Sequence, residues 1–166
     1  ILFTIMKFSS VFVLSTGRCG STTFTKACSH IDNYSSGHET KIHSLHPERL
    51  NYPANHIEAD NRLSWCLGLL DEKFGNNALY VHLIREKESC VESFAKRVDY
   101  GILKAYSEGI LLRTDSDPTK FASDYYDTVN ANIRQFLRHK PFKLTMHLEE
   151  MNSGRQFQDF WKIIDA

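Results

Sequence analysis

The sequence Val11-Phe-Val-Leu-Ser-Thr-Gly-Arg-Cys-Gly-Ser-Thr-Thr23 joins a short apolar run to a cluster of glycines and hydroxyls. The run 11–14 is typical of a buried strand, and the residues from 22 to 30 have the pattern of a helix. A strand that turns through Gly17 and Gly20 into a helix presents free backbone amides and the positive end of the helix dipole. This stretch therefore predicts an anion site between a strand and a helix.

Strands and helices alternate along the rest of the chain. Further strands are predicted at 56–58, 79–84 and 143–148, whereas 35–37 is interpreted as a polar loop. Helices are predicted from Asp60 or Asn61 through Leu63, Leu67, Leu70 and Phe74, over 87–98, from Asp117-Pro118 onward, and along Phe157, Phe160, Trp161 and Ile164. The alternation predicts a three-layer α/β fold of the P-loop type, in which helices flank a mostly parallel sheet. Ligands bind such sheets at the carboxyl ends of strands, so ligand sites are expected at the junctions after the first and third predicted strands.

The composition is that of a globular chain able to bury a core. Of the 166 residues, 42% are hydrophobic and 24% are charged, and we expect one domain over 1–166, either minimal or truncated at both ends. Lysines and arginines number 20 and acids number 20. A net charge of zero argues against a protein that coats nucleic acid, but it is compatible with a local anion site.

Neither a membrane segment nor a metal site is predicted. The apolar opening 1–6 is too short to span a bilayer, and both a cytoplasmic protein and a luminal fragment of a membrane-anchored one remain open. The closely spaced His43 and His46 have no second ligand cluster to complete a metal site. The cysteines contain no Cys-x-x-Cys pair and leave the redox compartment undecided: Cys19, Cys28, Cys66 and Cys90.

The first junction carries a fixed positive charge and three hydroxyls. Arg18 stands between two glycines, and Ser21, Thr22 and Thr23 follow. A nucleoside triphosphatase loop would have lysine directly after its second glycine, and here no glycine precedes a lysine. Cys19 has two interpretations: a thiol with a lowered pKa, because it lies beside an arginine at a helix N-terminus, or a packing residue. The simplest alternative for the whole segment is a serine-rich turn that caps a helix.

The second junction places an arginine directly after a strand. Arg85 follows 79–84, and Ser93 and Arg97 are four residues apart, so they should share one face of the next helix. Three such donors suit a dianionic phosphate. A surface helix of mixed charge is the alternative.

Both junctions resemble the donor site of PAPS-dependent sulfotransferases over about residues 10–98. Arg18-Cys19-Gly20-Ser21-Thr22 resembles the loop that binds the 5'-phosphosulfate, with cysteine in place of the commoner serine. Arg85 and Ser93, eight residues apart, resemble the 3'-phosphate motif, and Arg97 matches an arginine of the tyrosylprotein branch. The resemblance implies PAPS as donor, PAP as product, and this set of binding residues: Arg18, Cys19, Gly20, Ser21, Thr22, Thr23, Arg85, Ser93 and Arg97.

A third segment resembles the one that carries the catalytic base in tyrosylprotein sulfotransferases. Gly37-His-Glu-Thr-Lys41 corresponds to Gly-Glu-Glu-Thr-Arg in that branch, which assigns Glu39 as the base and replaces arginine by lysine. The chemistry agrees, because a hydroxyl becomes a good nucleophile only when a positioned group removes its proton. His38 is a competing base.

The predicted function is transfer of a sulfuryl group to the hydroxyl of a carbohydrate, peptide or small molecule. Arg18 would stabilise charge on the leaving oxygen, and Arg62 is expected to line the acceptor cleft. One alternative is a P-loop kinase or NTPase, which would need ATP and Mg²⁺. Another is a non-catalytic domain that binds PAP, since the 166 residues lack the basic glycine-rich segment that ends some members of the family.

Overall fold

The computed structural model describes residues 8–112 and 117–166, and the apolar opening 1–6 lies outside them. The strands are β1 Ser10–Leu14, β2 Ser35–His38, β3 His56–Ala59, β4 Leu79–Ile84 and β5 Lys143–His147. The α helices are α1 Ser21–Cys28, α2 Leu67–Phe74, α3 Lys87–Ala95, α4 Gly101–Lys104, α5 Pro118–Leu137, α6 Leu148–Met151 and α7 Arg155–Ile164. Two 3₁₀ helices, Glu48–Leu50 and Asn61–Trp65, and a π-helical segment, Ala105–Ile110, complete the elements.

The sheet is parallel throughout and has β1 at its centre. Its strand order is β2-β3-β1-β4-β5. Val11 in β1 is in register with Ile57 of β3 on one side and with Leu79 of β4 on the other. Side chains 11–14 are at most 1% exposed, as expected for a strand covered on both faces. The predicted α/β fold with helices around a parallel sheet is confirmed.

The segment predicted as a polar loop is instead the edge strand β2. Ser and Gly rarely favour strands, but pairing with β3 imposes the extended conformation: Ser35 N–H donates to Asn55 O at 2.9 Å, and Glu39 N–H donates to Ala59 O at 3.1 Å. Glycine is needed within this strand because a Cβ at Gly37 would clash with the side chain of Thr40. The missed strand makes the second anion junction follow the fourth strand rather than the third.

Two predicted helices have different limits in the structure. Asp60 caps the 3₁₀ helix Asn61–Trp65 by accepting from Arg62 N–H at 2.8 Å, and α2 begins only after a break at Cys66. Helix α3 stops at Ala95 rather than 98, because the chain tightens into a turn in which Arg97 N–H donates to Phe94 O at 2.8 Å. The spacing predicts that Arg97 and Ser93 share one helix face. This prediction is wrong, because Arg97 lies beyond the end of α3.

A buried carboxylate ties the end of β2 to β3. Glu58 has no exposed surface and accepts hydrogen bonds from Thr40 N–H at 2.8 Å and from Thr40 Oγ1 at 2.7 Å. His56 contacts the same carboxylate. Its Nε2 lies 2.9 Å from Glu58 Oε2, and its Nδ1 lies 2.7 Å from Ser35 Oγ. A buried polar group is tolerated when it is hydrogen-bonded in this way. Glu58 thus fixes the path of the chain just after Glu39.

Replacing Glu58 with alanine should lower the free energy of unfolding by about 3 kcal/mol, because it opens a cavity at a fully buried position and leaves the buried His56 without its hydrogen-bond partner. Urea unfolding followed by circular dichroism measures the change. Glu72→Ala is the matched control, since Glu72 is an exposed acid on α2, and it should change stability by less than about 0.5 kcal/mol. Equal midpoints for the two variants would show that the network is dispensable.

Candidate functional site

Loop 15–20, which joins β1 to α1, has an unusual backbone. Gly17, Arg18 and Gly20 all have positive φ, at 87°, 58° and 84°. This conformation is unfavourable for arginine, and such strain is concentrated at functional sites. Side chains could not replace the glycines: a Cβ on Gly17 would lie 2.9 Å from Asn61 Nδ2, and one on Gly20 would clash with Leu148. The loop is therefore held in one shape that brings its backbone to the sheet edge.

Side chains from other elements donate hydrogen bonds to two carbonyl groups of this loop. Ser64 Oγ donates to Ser15 O at 3.0 Å, and the buried Tyr125 hydroxyl donates to Thr16 O at 2.8 Å.

Helix α1 begins at Ser21 without a side-chain cap, whereas α3 and α5 are capped by Glu86 and Asp117. The uncapped first turn of α1, with its dipole, can thus interact with an anion.

The two predicted anion motifs are bonded to one another. Arg85, the first residue after β4, donates from Nη1 to the Arg18 carbonyl at 3.1 Å. Arg18 in turn donates from Nε to Ser93 Oγ on α3 at 2.9 Å. Burial, with repulsion from Arg97 and Arg85, lowers the pKa of Arg18. Three guanidinium groups are therefore gathered where β1 and β4 end.

The predicted base lies across from these arginines. Glu39 follows β2 directly and has a φ of 55°, a conformation uncommon for a residue with a side chain. Its Oε1 is 3.0 Å from Arg62 Nη1. The neighbouring His38 contacts the first anion motif, because its Nε2 lies 2.9 Å from Ser21 Oγ. Both candidate bases thus contact residues of the same cleft.

These groups line a cleft of about 490 Å³ at the carboxyl edge of the sheet. Its charged lining consists of four arginines and one carboxylate, so it is strongly suited to a polyanion. The lining residues are Gly17, Arg18, Gly20, Ser21, Thr22, Thr23, His38, Glu39, Asn61, Arg62, Arg85, Phe94, Arg97, Tyr100, Gly101, Ile102 and Leu148.

Most of the residues singled out from the sequence meet in this cleft, but two do not line it. Ser93 is joined to the cleft through its bond with Arg18. Cys19 is only 1% exposed, and its thiol is directed to Thr16 and to the Gly17 carbonyl beneath the loop, so only its backbone can meet a ligand in the cleft. Sequence reasoning missed Asn61 and the segment that begins at Tyr100, because these residues enter the cleft from the 3₁₀ helix Asn61–Trp65 and from the start of α4, which are too short to show a periodic pattern.

Over 8–112 and 117–166, no group of three or more His, Cys, Asp or Glu side chains is arranged to hold a metal ion. No helix within these ranges has the length and apolar character to cross a bilayer.

Comparison with known proteins agrees with the architecture. No protein-family model and no curated protein matches this sequence. Among solved structures, the sulfotransferase domain from the curacin biosynthetic pathway is similar, with a TM-score of 0.68 over 96% of this chain and 74% of that chain. The sequence identity is 13%, so the likeness concerns the fold alone. The chain has a sulfotransferase-like fold.

Proposed function

We propose that this chain is a sulfotransferase that moves a sulfuryl group from PAPS to an acceptor hydroxyl. We take residues 1–166 as one sulfotransferase-like domain, with a donor site and base like those of the tyrosylprotein branch. The observation that carries the proposal is the linkage of the two anion motifs, in which Arg85 bonds to the Arg18 carbonyl and Arg18 bonds to Ser93. A turn that merely capped a helix would not need this convergence of arginines.

The charge and size of the cleft fit a nucleotide with two anionic ends. Burial and the nearby Arg97 and Arg85 lower the pKa of Arg18, and an anion bound among these groups would relieve their repulsion. The volume of about 490 Å³ falls within the range of roughly 300–1,000 Å³ typical of small-molecule sites. PAPS, with a 3'-phosphate and a 5'-phosphosulfate, has the matching chemistry.

Two groups of residues would bind the two anionic ends of the nucleotide. The 5'-phosphosulfate would be held by the backbone amides and hydroxyls of the first group: Arg18, Cys19 through its N–H only, Gly20, Ser21, Thr22 and Thr23. The 3'-phosphate would be held by the second group, Arg85, Ser93 and Arg97. Arginine suits both ends, because its planar fork makes paired hydrogen bonds to phosphate oxygens.

Proton transfer would be the task of Glu39. Bound PAPS would supply the sulfuryl group, and the Glu39 carboxylate would accept the proton of the acceptor hydroxyl. Arg62, 3.0 Å from that carboxylate, would orient it toward the cleft. Arg18 would stabilise the negative charge that develops on the leaving oxygen, a role worth about two to three orders of magnitude in rate for one preorganised donor.

Replacing Arg85 with alanine should weaken PAP binding tenfold or more, about 1.4 kcal/mol, because the variant loses a phosphate ligand and the bond that holds Arg18. Isothermal titration calorimetry without Mg²⁺ measures the affinity. Arg138→Ala is the control: Arg138 is exposed at the end of α5, outside the cleft lining, and its loss should change the affinity by less than twofold.

The same titrations test the donor assignment itself. Absence of PAP binding by the wild-type chain would refute it. A preference for ATP with Mg²⁺ over PAP would favour the kinase or NTPase alternative instead.

Replacing Glu39 with glutamine should leave the PAP affinity within threefold while lowering the transfer rate by about 10²–10⁴-fold, because the amide cannot accept the acceptor proton. The rate is measured with labelled PAPS on a panel of carbohydrate, tyrosyl-peptide and small-alcohol acceptors.

His38→Gln is the matched comparison, since His38 is the neighbouring candidate base. If that variant loses transfer and Glu39→Gln does not, the assignment of Glu39 is wrong. If the wild type binds PAP but transfers to no member of the panel, the non-catalytic alternative is favoured.

A further inference from the structure

Two buried cysteines meet beneath loop 15–20. Cys19 belongs to the loop and is 1% exposed, and Cys90 belongs to α3 and is fully buried. Cys19 Sγ lies 3.2 Å from Thr16 Oγ1 and 3.2 Å from the Gly17 carbonyl oxygen, and Cys90 Sγ lies 3.7 Å from each of the same two oxygens. Two sulfurs that share both contacts are neighbours, and both are free thiols.

The contact makes the two thiols chemically unequal. The neighbouring Cys90 thiol is the main cause that lowers the pKa of Cys19, and hydrogen bonding with Thr16 lowers it further. The same contact with Cys19, together with burial, raises the pKa of Cys90. Cys19 is therefore the sulfur that loses its proton first, and the thiolate is the nucleophilic form of cysteine. Cys90 keeps its proton beside it.

We propose that Cys19 and Cys90 form a reversible disulfide that pulls loop 15–20 toward α3 and weakens nucleotide binding in the cleft. The disulfide itself follows from the thiol contact alone, whereas its effect on nucleotide rests on the proposed function. The two thiol groups form a modification site and take no part in moving a proton, and only the backbone N–H of Cys19 is among the groups proposed to hold the phosphosulfate.

The oxidant is a hydroperoxide, a small molecule able to reach a sulfur just below the floor of the cleft. The Cys19 thiolate attacks one peroxide oxygen of H₂O₂, which breaks the O–O bond and gives a sulfenic acid and hydroxide. The Cys90 sulfur then attacks the Cys19 sulfur, the S–S bond forms, and the sulfenic oxygen leaves as water with the Cys90 proton. Overall two thiols lose two electrons, and one peroxide becomes two waters.

Closing the bond must change the shape of the cleft. A disulfide holds its sulfurs about 2.05 Å apart, closer than two thiols in contact. The loop would therefore move toward α3 together with Arg18 and Gly20, which flank Cys19 and line the cleft. On the other side Ser93, one helical turn beyond Cys90, accepts the bond from Arg18 Nε. A bond between the cysteines thus acts on both anion motifs at once.

The first arm of the experiment is thiol mapping on the full chain. The folded protein is treated with H₂O₂, its remaining thiols are alkylated after denaturation, and peptides are mapped by mass spectrometry. We expect two of the four thiols to resist alkylation, and we expect a disulfide-linked pair of peptides that contain Cys19 and Cys90 and that dithiothreitol separates. Four alkylated thiols, or a disulfide that includes Cys28 or Cys66, would overturn the proposal.

The second arm compares PAP titrations of the reduced and oxidised chains. We expect oxidation to weaken PAP binding at least tenfold. By linkage, saturating PAP should then make the reduction potential of the cysteine pair more positive, by about 30 mV for each tenfold difference in affinity. Cys90→Ala should bind PAP equally before and after peroxide, and Cys66→Ala should behave as the wild type does. Equal affinity of the two wild-type forms would overturn the proposed effect on nucleotide.

The two arms separate this proposal from the proposed function. Thiol mapping needs no nucleotide, so the disulfide is decided even if the reduced chain fails to bind PAP. That failure would refute the donor site, and with it the effect of oxidation on nucleotide.

Discussion

The site depends on the position of β1 between β3 and β4. Because the chain leaves β1 toward β2 and β3 on one side and returns to β4 and β5 on the other, the loop after β1 opens over a crevice at the point where the strand order reverses. Arg18 and Arg85 are 67 residues apart in sequence, yet parallel pairing of β1 and β4 brings them to one sheet edge and into contact. No local feature of either segment could produce that convergence.

The cleft is organised around positive charge at some cost to the folded chain. Arg18 adopts a left-handed backbone conformation, and Arg85 and Arg97 repel it. The surrounding structure enforces the arrangement through the glycines of the loop and the bonds to its carbonyls. Groups held in this way need little reorganisation when an anion arrives, which is the usual reason for strain and like charge at a functional site.

The sequence predicts the elements that its hydrophobic pattern determines. The continuous apolar run of β4 gave both of its ends correctly, and Asp117-Pro118 gave the start of α5. Strand β2 could not be predicted, because Ser-Ser-Gly-His has no strand pattern and becomes extended only by pairing with β3. Most residues with family spacing lie in one cleft, but the burial of Cys19 against Cys90 is a contact between distant segments that spacing does not encode.

The bonds behind loop 15–20 also have a kinetic consequence. Tyr125 reaches the Thr16 carbonyl across 109 positions of sequence, and Ser64 reaches Ser15 across 49. Contacts between such distant residues close large loops and are slow to form. We therefore expect the anion loop to acquire its final shape only when α5 has docked. A chain captured before that stage would contain the central strands and yet have no cleft.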